Sequence, residues 1–127
     1  MNNDLDQLIQ YAKAENWEAM DALIPQVCND EDFIQWSINS GLKDADDNVR
    51  DLAVSILEKS THILNENIVD FLENLMQMDK NIYVQFRAAF TLFNRGIRSE
   101  AVMSRMHEAL IDPDVKEIAA GYLGQKV

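Results

Sequence analysis

Three stretches of the chain repeat one pattern, in which a valine is followed by alanine four residues later and by leucine eight residues later. Residues four apart lie on the same face of an α-helix, so each stretch predicts a helix with an apolar stripe. The small alanine allows a neighbouring helix to approach closely, and the polar residue after each valine is expected to face solvent. The repeat therefore predicts helices packed in pairs. The copies are Val49–Leu57, Val84–Leu92 and Val115–Leu123, with a partial copy at Ala19 and Leu23.

Apolar residues recur at helical spacing along almost the whole chain, in eight segments. The connections are short, with at most about six residues each, which favours antiparallel neighbours. The sequence predicts an all-α fold, an α-solenoid of about eight antiparallel helices in four pairs, forming a single domain over residues 1–127. The predicted N-caps are Asn16, Asp30, Asp47, Asn65, Ser99 and Asp112, and the predicted left-handed C-caps are Gly41, Gly96 and Gly124.

The second helix of each predicted pair resembles that of the HEAT-repeat family, which commonly reads Asp-x-x-Val-Arg-x-x-Ala-x-x-x-Leu. The stretches "DDNVRDLAVSIL" and "DPDVKEIAAGYL" match this pattern. Two departures are Glu15-Asn16 in place of Val-Arg in the first pair, and Arg87 where Leu52 and Ile118 stand in other pairs. The resemblance implies a short right-handed α-solenoid whose second helices line a concave surface, and a protein that binds other proteins.

The charge is strongly acidic, with 22 Asp and Glu against 11 Lys and Arg. Residues 1–60 hold 13 acidic and four basic residues, whereas residues 61–127 hold nine and seven. Nucleic-acid binding requires Lys and Arg to displace phosphate counterions, so we expect none. An acidic half is suited to attracting a basic protein. The N-terminus lacks the pattern of a signal peptide, and the longest apolar run, "AAFTLF", is too short to cross a membrane, so we expect a cytoplasmic protein without membrane contact.

Asp44-x-Asp46-x-Asn48 has the alternating oxygen ligands of the first half of a calcium loop. Such a loop requires Gly at its sixth position and Glu at its twelfth, where this chain has Val49 and Ser55. Both requirements fail, so the sequence does not predict calcium binding.

The other residues that could hold zinc or act as nucleophiles lie far apart in the sequence. Cys28, His62 and His107 form no metal-binding spacing, and Cys28 has no partner for a disulfide. No nucleophile motif or Gly-rich phosphate loop is present. We therefore predict no enzyme activity, no metal and no cofactor.

An acidic cluster before and within the second copy of the repeat is the first candidate partner-binding surface. It contains Asp30, Glu31, Asp32, Asp44, Asp46, Asp47 and Asp51, of which Asp44, Asp46, Asp47 and Asp51 are the predicted partner-binding residues. The alternative is that these carboxylates only cap helices and interact with water.

An apolar anchor in the third copy is the second candidate. Phe86 and Phe90 occupy the positions two and six residues after the repeat valine, and Tyr83 extends the group. The same positions are Asp51 and Ser55 in the second copy and Glu117 and Gly121 in the fourth. The alternative is that the helix is rotated and that both phenylalanine rings lie in the core.

The predicted function is non-catalytic protein binding by a chain that is expected to be a monomer. Its most specific form is an acidic immunity or inhibitor protein that neutralises a basic partner such as a nuclease toxin, by analogy of size, charge and fold class. A nuclease site is positive in order to hold phosphate, so an acidic protein competes with its substrate. The alternative is a HEAT-repeat adaptor or scaffold subunit in a larger protein assembly.

Overall fold

A computed structural model of the chain describes residues 3–124. Over this range the chain contains eight α-helices, one short 3₁₀ turn and no strand, so the all-α prediction is confirmed. The helices are α1 (Asn3–Lys13), α2 (Trp17–Val27), α3 (Glu31–Asn39), α4 (Asp47–Lys59), α5 (Glu66–Met78), α6 (Ile82–Asn94), α7 (Glu100–Ala109) and α8 (Lys116–Leu123), with the 3₁₀ turn at Gly41–Lys43.

At the helix starts, polar side chains accept hydrogen bonds from the free backbone N–H groups. Most of the predicted N-caps form such hydrogen bonds. The prediction of Asp47 is wrong by one residue, because Asp46 caps α4 and Asp47 is its first helical residue. Several consecutive acidic and amide side chains precede α4, and each of them can cap, so composition alone does not select the position. The cap of α6, Asn81, was not predicted. The confirmed caps are Asn16, Asp30, Asn65 and Ser99.

The chain divides into two compact units, Met1–Leu64 and Asn65–Val127. In the first unit, α4 packs against α1, α2 and α3, and in the second unit α6 packs against α5, α7 and α8. Each unit is thus organised around one central helix. These two helices are buried on nearly all sides, since every residue of 52–58 in α4 and of 88–93 in α6 is buried.

Gly41 allows the 3₁₀ turn that follows α3 to lie against α4. It does not have the predicted left-handed backbone, whereas Gly96 and Gly124 do, with φ of 89° and 70°. A Cβ at Gly41 would lie 2.6 Å from the Cβ of Ala53 and 2.9 Å from the ring of Trp36. Ala53 and Gly41, both small, therefore allow the 3₁₀ turn and α4 to come close together.

Candidate protein-binding surfaces

The carboxylates before α4 bind the backbone of their own turn. Asp44 Oδ1 accepts from the Asp46 N–H at 2.8 Å, and Asp46 Oδ1 accepts from the N–H groups of Asn48 and Val49 at 2.8 and 3.2 Å. Both aspartates are half-buried. Asp44 and Asp46 therefore define where α4 begins.

Arg50 is buried, so the prediction that the polar residue after the repeat valine faces solvent is wrong here. Its guanidinium donates to the carbonyl oxygens of Asp44 and Ala45, at 2.9 and 3.1 Å, and forms an ion pair with Asp47. The turn before α4 turns its carbonyl groups toward the helix, and a long donor at this position satisfies them. Asp51, farther along α4, is half-buried.

The same turn recurs 35 residues later, before α6. Asp79 Oδ1 accepts from the N–H of Asn81 at 2.9 Å, and Asn81 in turn caps α6. Gln85 donates from its side-chain amide to the carbonyl of Asp79, as Arg50 does to the carbonyl of Asp44. The repeat therefore includes the hydrogen bonding of the turn as well as the apolar stripe.

The turn before α8 keeps only part of this arrangement. Asp112 Oδ1 accepts from the Asp114 N–H at 2.8 Å, and the Asp112 carbonyl accepts from the Lys116 N–H at 2.9 Å. However, α8 begins at Lys116 with Val115 in the N-cap position, so the predicted cap at Asp112 is wrong by three residues.

Phe86 and Phe90 lie in the core, with exposed fractions of 3% and 1%. The exposed-anchor interpretation is therefore wrong for both rings, and the core alternative agrees with the structure. Ser55, at the matching position of α4, is buried as well, whereas Glu117 and Gly121 of α8 are exposed. The reason is that α4 and α6 are central helices with neighbours on several sides, so the face opposite the repeat stripe is also covered.

Tyr83 is the one member of the predicted apolar anchor that is exposed. Its hydroxyl donates to Asp114 Oδ2 at 2.6 Å, which joins the start of α6 to the turn between α7 and α8. Its ring meets Phe86 edge to face, with centroids 6.3 Å apart. The hydrogen bond to Asp114 is the main cause that raises the pKa of Tyr83 to about 12, with smaller effects from desolvation and the nearby charge of Asp112.

A second group of exposed carboxylates overlaps the predicted acidic cluster at Asp30, Glu31 and Asp32 and extends to earlier residues. From Ala14 to Leu42 the chain contains six acidic residues, all exposed, and no Lys or Arg. We call this set the acidic stretch. The absence of basic residues over this length was the sequence signal that would have identified it. Its carboxylates belong to Glu15, Glu18, Asp21, Asp30, Glu31 and Asp32.

Some polar groups are buried. The Glu58 side chain is fully buried, with Lys59 Nζ 3.6 Å from its carboxylate. Within the described residues, the hydroxyls of Ser37 and Ser55 are buried without a hydrogen-bond partner. Burial also lowers the pKa of the half-buried Arg95.

The residues considered for zinc binding were Cys28, His62 and His107. Cys28 is buried, and its Sγ contacts the Lys59 carbonyl at 3.4 Å. Between residues 3 and 124, no three His, Cys, Asp or Glu side chains are grouped so as to hold a metal ion.

No protein family, curated protein or solved structure matches this chain. In the part of the chain that the structure describes, no helix has the length and apolar character needed to span a membrane.

Proposed function

We propose that this chain is a non-catalytic protein-binding module with a basic protein as its partner, and most specifically an acidic inhibitor of a nuclease toxin in the cytoplasm. The observation that carries the proposal is the acidic stretch, with six exposed carboxylates and no Lys or Arg. The side-chain carboxylates of Glu15, Glu18 and Asp21 form no hydrogen bond or ion pair within residues 3–124, so they are available to a partner. Such a surface attracts a nuclease domain, whose active site is positive, and competes with nucleic acid for it.

A HEAT-like architecture of antiparallel helix pairs in an α-solenoid is part of the same proposal. The contacts of α3 with α4, of α5 with α6 and of α7 with α8 support it, because each would be one helix pair. The recurrence of the turn before α4 in the turn before α6 supports it as well, since equivalent turns start equivalent helices. Repeat proteins of this kind commonly present extended binding surfaces.

The test is the rate at which purified basic nuclease domains associate with this protein, measured by stopped flow at low and high salt. We expect the association rate constant of an inhibited nuclease to fall about tenfold between 0.05 and 0.5 M NaCl, since salt screens steering charges. The double variant Glu18→Gln/Asp21→Asn should lower this rate constant at low salt. The matched control Glu66→Gln/Asp70→Asn removes the same charge from exposed positions of α5 and should lower it less.

Two results would contradict the proposal. One is an association rate constant that does not depend on salt or on the Glu18/Asp21 charges. The other is that no nuclease in a panel of basic domains is bound or inhibited. This result would rule out the proposal that the chain inhibits a nuclease toxin.

The adaptor function is a second candidate, because the second unit exposes large apolar side chains. Met78 and Ile111 are 72% and 86% exposed. An adaptor that binds through such residues would keep its partner at high salt and in the Glu18→Gln/Asp21→Asn variant, which distinguishes it from the inhibitor.

A further inference from the structure

Large apolar side chains are exposed mainly on two turns of the second unit. Six such side chains in residues 3–124 are more than a third exposed, and four of them lie in or beside the α5–α6 and α7–α8 turns. Single exposed apolar residues are ordinary on protein surfaces, but a group on adjoining turns marks an interaction site. We call this group the apolar edge. It consists of Met78, Ile82, Tyr83 and Ile111.

The two turns of the apolar edge are joined and held in a defined conformation. The hydrogen bond of 2.6 Å from Tyr83 to Asp114 connects them. The first turn is fixed by the Asp79 and Asn81 side chains, which accept from backbone N–H groups, and the second by the same type of bond from Asp112. A surface that is ordered before binding loses less conformational entropy when a partner arrives.

The surroundings of the apolar edge carry more negative than positive charge. Asp79, Asp112 and Asp114 lie in the two turns, together with Lys80 and Lys116. The charge complementarity of this edge therefore favours a partner with apolar side chains next to Lys or Arg, and disfavours an acidic one.

We propose that the apolar edge is the docking site for an amphipathic, basic segment of the protein partner. Its apolar side chains would contact Met78, Ile82 and Ile111, and its Lys or Arg side chains would lie against Asp112 and Asp114. This inference rests on the proposed protein-binding function and adds a surface and a partner chemistry that the acidic stretch does not supply.

Synthetic peptides test this docking site directly on the full chain labelled with ¹⁵N. The first peptide has Leu at helical spacing and Lys at its other positions, the second replaces Lys with Glu, and the third replaces Leu with Ser. We expect the Leu/Lys peptide to shift the amide resonances of residues 78–83 and 109–117. The Leu/Glu and Ser/Lys peptides should bind there at least about tenfold more weakly, because each lacks one of the two matched features.

Variants of the exposed residues separate docking from unspecific attraction. Met78→Ser/Ile111→Ser should raise the Kd of the Leu/Lys peptide about tenfold, because it removes two apolar contacts. Ile63→Ser is the matched control, since Ile63 is 88% exposed in the first unit, and it should change the Kd less than about twofold. Circular dichroism checks that each variant keeps the helical content of the parent.

Each remaining outcome overturns the inference in a recognisable way. If the Leu/Lys peptide shifts the resonances of the acidic stretch instead, the apolar edge is not the docking site, and the proposed function still stands. An equal loss of affinity in Ile63→Ser also removes the docking site. If the resonances of the apolar edge shift as the protein concentration rises in the absence of peptide, the edge is a contact between two copies of the chain. If none of the peptides binds anywhere on the chain, both the docking site and the attraction of basic partners are contradicted.

Discussion

Replacing Gly41 with alanine tests the close approach of the 3₁₀ turn after α3 to α4. The added Cβ would lie 2.6 Å from the Cβ of Ala53, whereas carbon atoms in contact are separated by about 3.5–4.0 Å. The two groups must therefore move apart by about 1 Å, and neither can rotate away because each is attached to the backbone. The Trp36 ring, 2.9 Å from the same position, restricts the movement on another side.

We expect Gly41→Ala to lower the free energy of unfolding by about 2–3 kcal/mol. Overpacking of a core costs about 1–3 kcal/mol. We expect the cost at Gly41 to be at the upper end of this range, because the clash involves a methyl group that is attached to the backbone. The lower entropy of the unfolded alanine chain offsets about 0.4–1 kcal/mol of the clash. Urea denaturation followed by circular dichroism and by Trp fluorescence measures the change, and agreement of the two signals checks that the transition is two-state.

Two companion variants make the interpretation specific. Gly121→Ala is the control, because Gly121 is exposed within α8 and a Cβ there has no neighbour within 4 Å, so this change should stabilise the protein by about 0.5–1 kcal/mol. Combining Gly41→Ala with Ala53→Gly removes the shortest contact, so the double variant should be more stable than the sum of the single effects by about 1 kcal/mol. Stability of Gly41→Ala within about 0.5 kcal/mol of the parent, or additive effects in the double variant, would refute the close approach.

Three further predictions concern the helix-starting turns. Asp46→Ala should lower the free energy of unfolding, measured by urea denaturation, by about 1–2 kcal/mol. Asp46→Asn keeps an accepting oxygen and should lower it by only a few tenths of a kcal/mol. Equal losses in the two variants would contradict the role of Asp46 as N-cap. Arg50→Met should cost about 1–3 kcal/mol by the same measurement, because it removes the hydrogen bonds to the Asp44 and Ala45 carbonyls and the ion pair with Asp47. Arg50→Gln should recover part of this loss if its amide acts as that of Gln85 does. In an absorbance titration at 295 nm, Tyr83 should ionise near pH 12, and Asp114→Asn should move its pKa down toward 10. Since the pKa of Tyr83 is raised on folding, the stabilisation by its hydrogen bond is present below pH 10 and is lost as the pH rises through 12. An Asp114→Asn variant in which Tyr83 titrates as in the parent would contradict the role of this hydrogen bond.

The local features of the fold could be predicted from the sequence because they depend on neighbours in the chain. Helical spacing indicated all eight helices, and cap residues such as Asn16, Asn65 and Ser99 identified helix starts. The repeat alanine Ala53 indicated a close approach of another segment to α4, and the structure has one with the 3₁₀ turn at Gly41. The excess of acidic residues follows from composition alone, and so does its concentration in the first 60 residues.

The candidate sites depended on tertiary packing, and there the sequence was less informative. Spacing shows which residues share a helix face, but it does not show how many neighbours a helix has. Because α4 and α6 are central helices, Arg50 is buried where solvent exposure was expected, and Ser55, Phe86 and Phe90 are buried on the face away from the repeat stripe. The joining of two turns by Tyr83 and the exposure of Ile111 likewise arise only when distant segments meet. The sequence by itself thus determined the helices and the charge, while the tertiary structure decided which side chains a partner can reach, since burial is set by contacts between segments far apart in the chain.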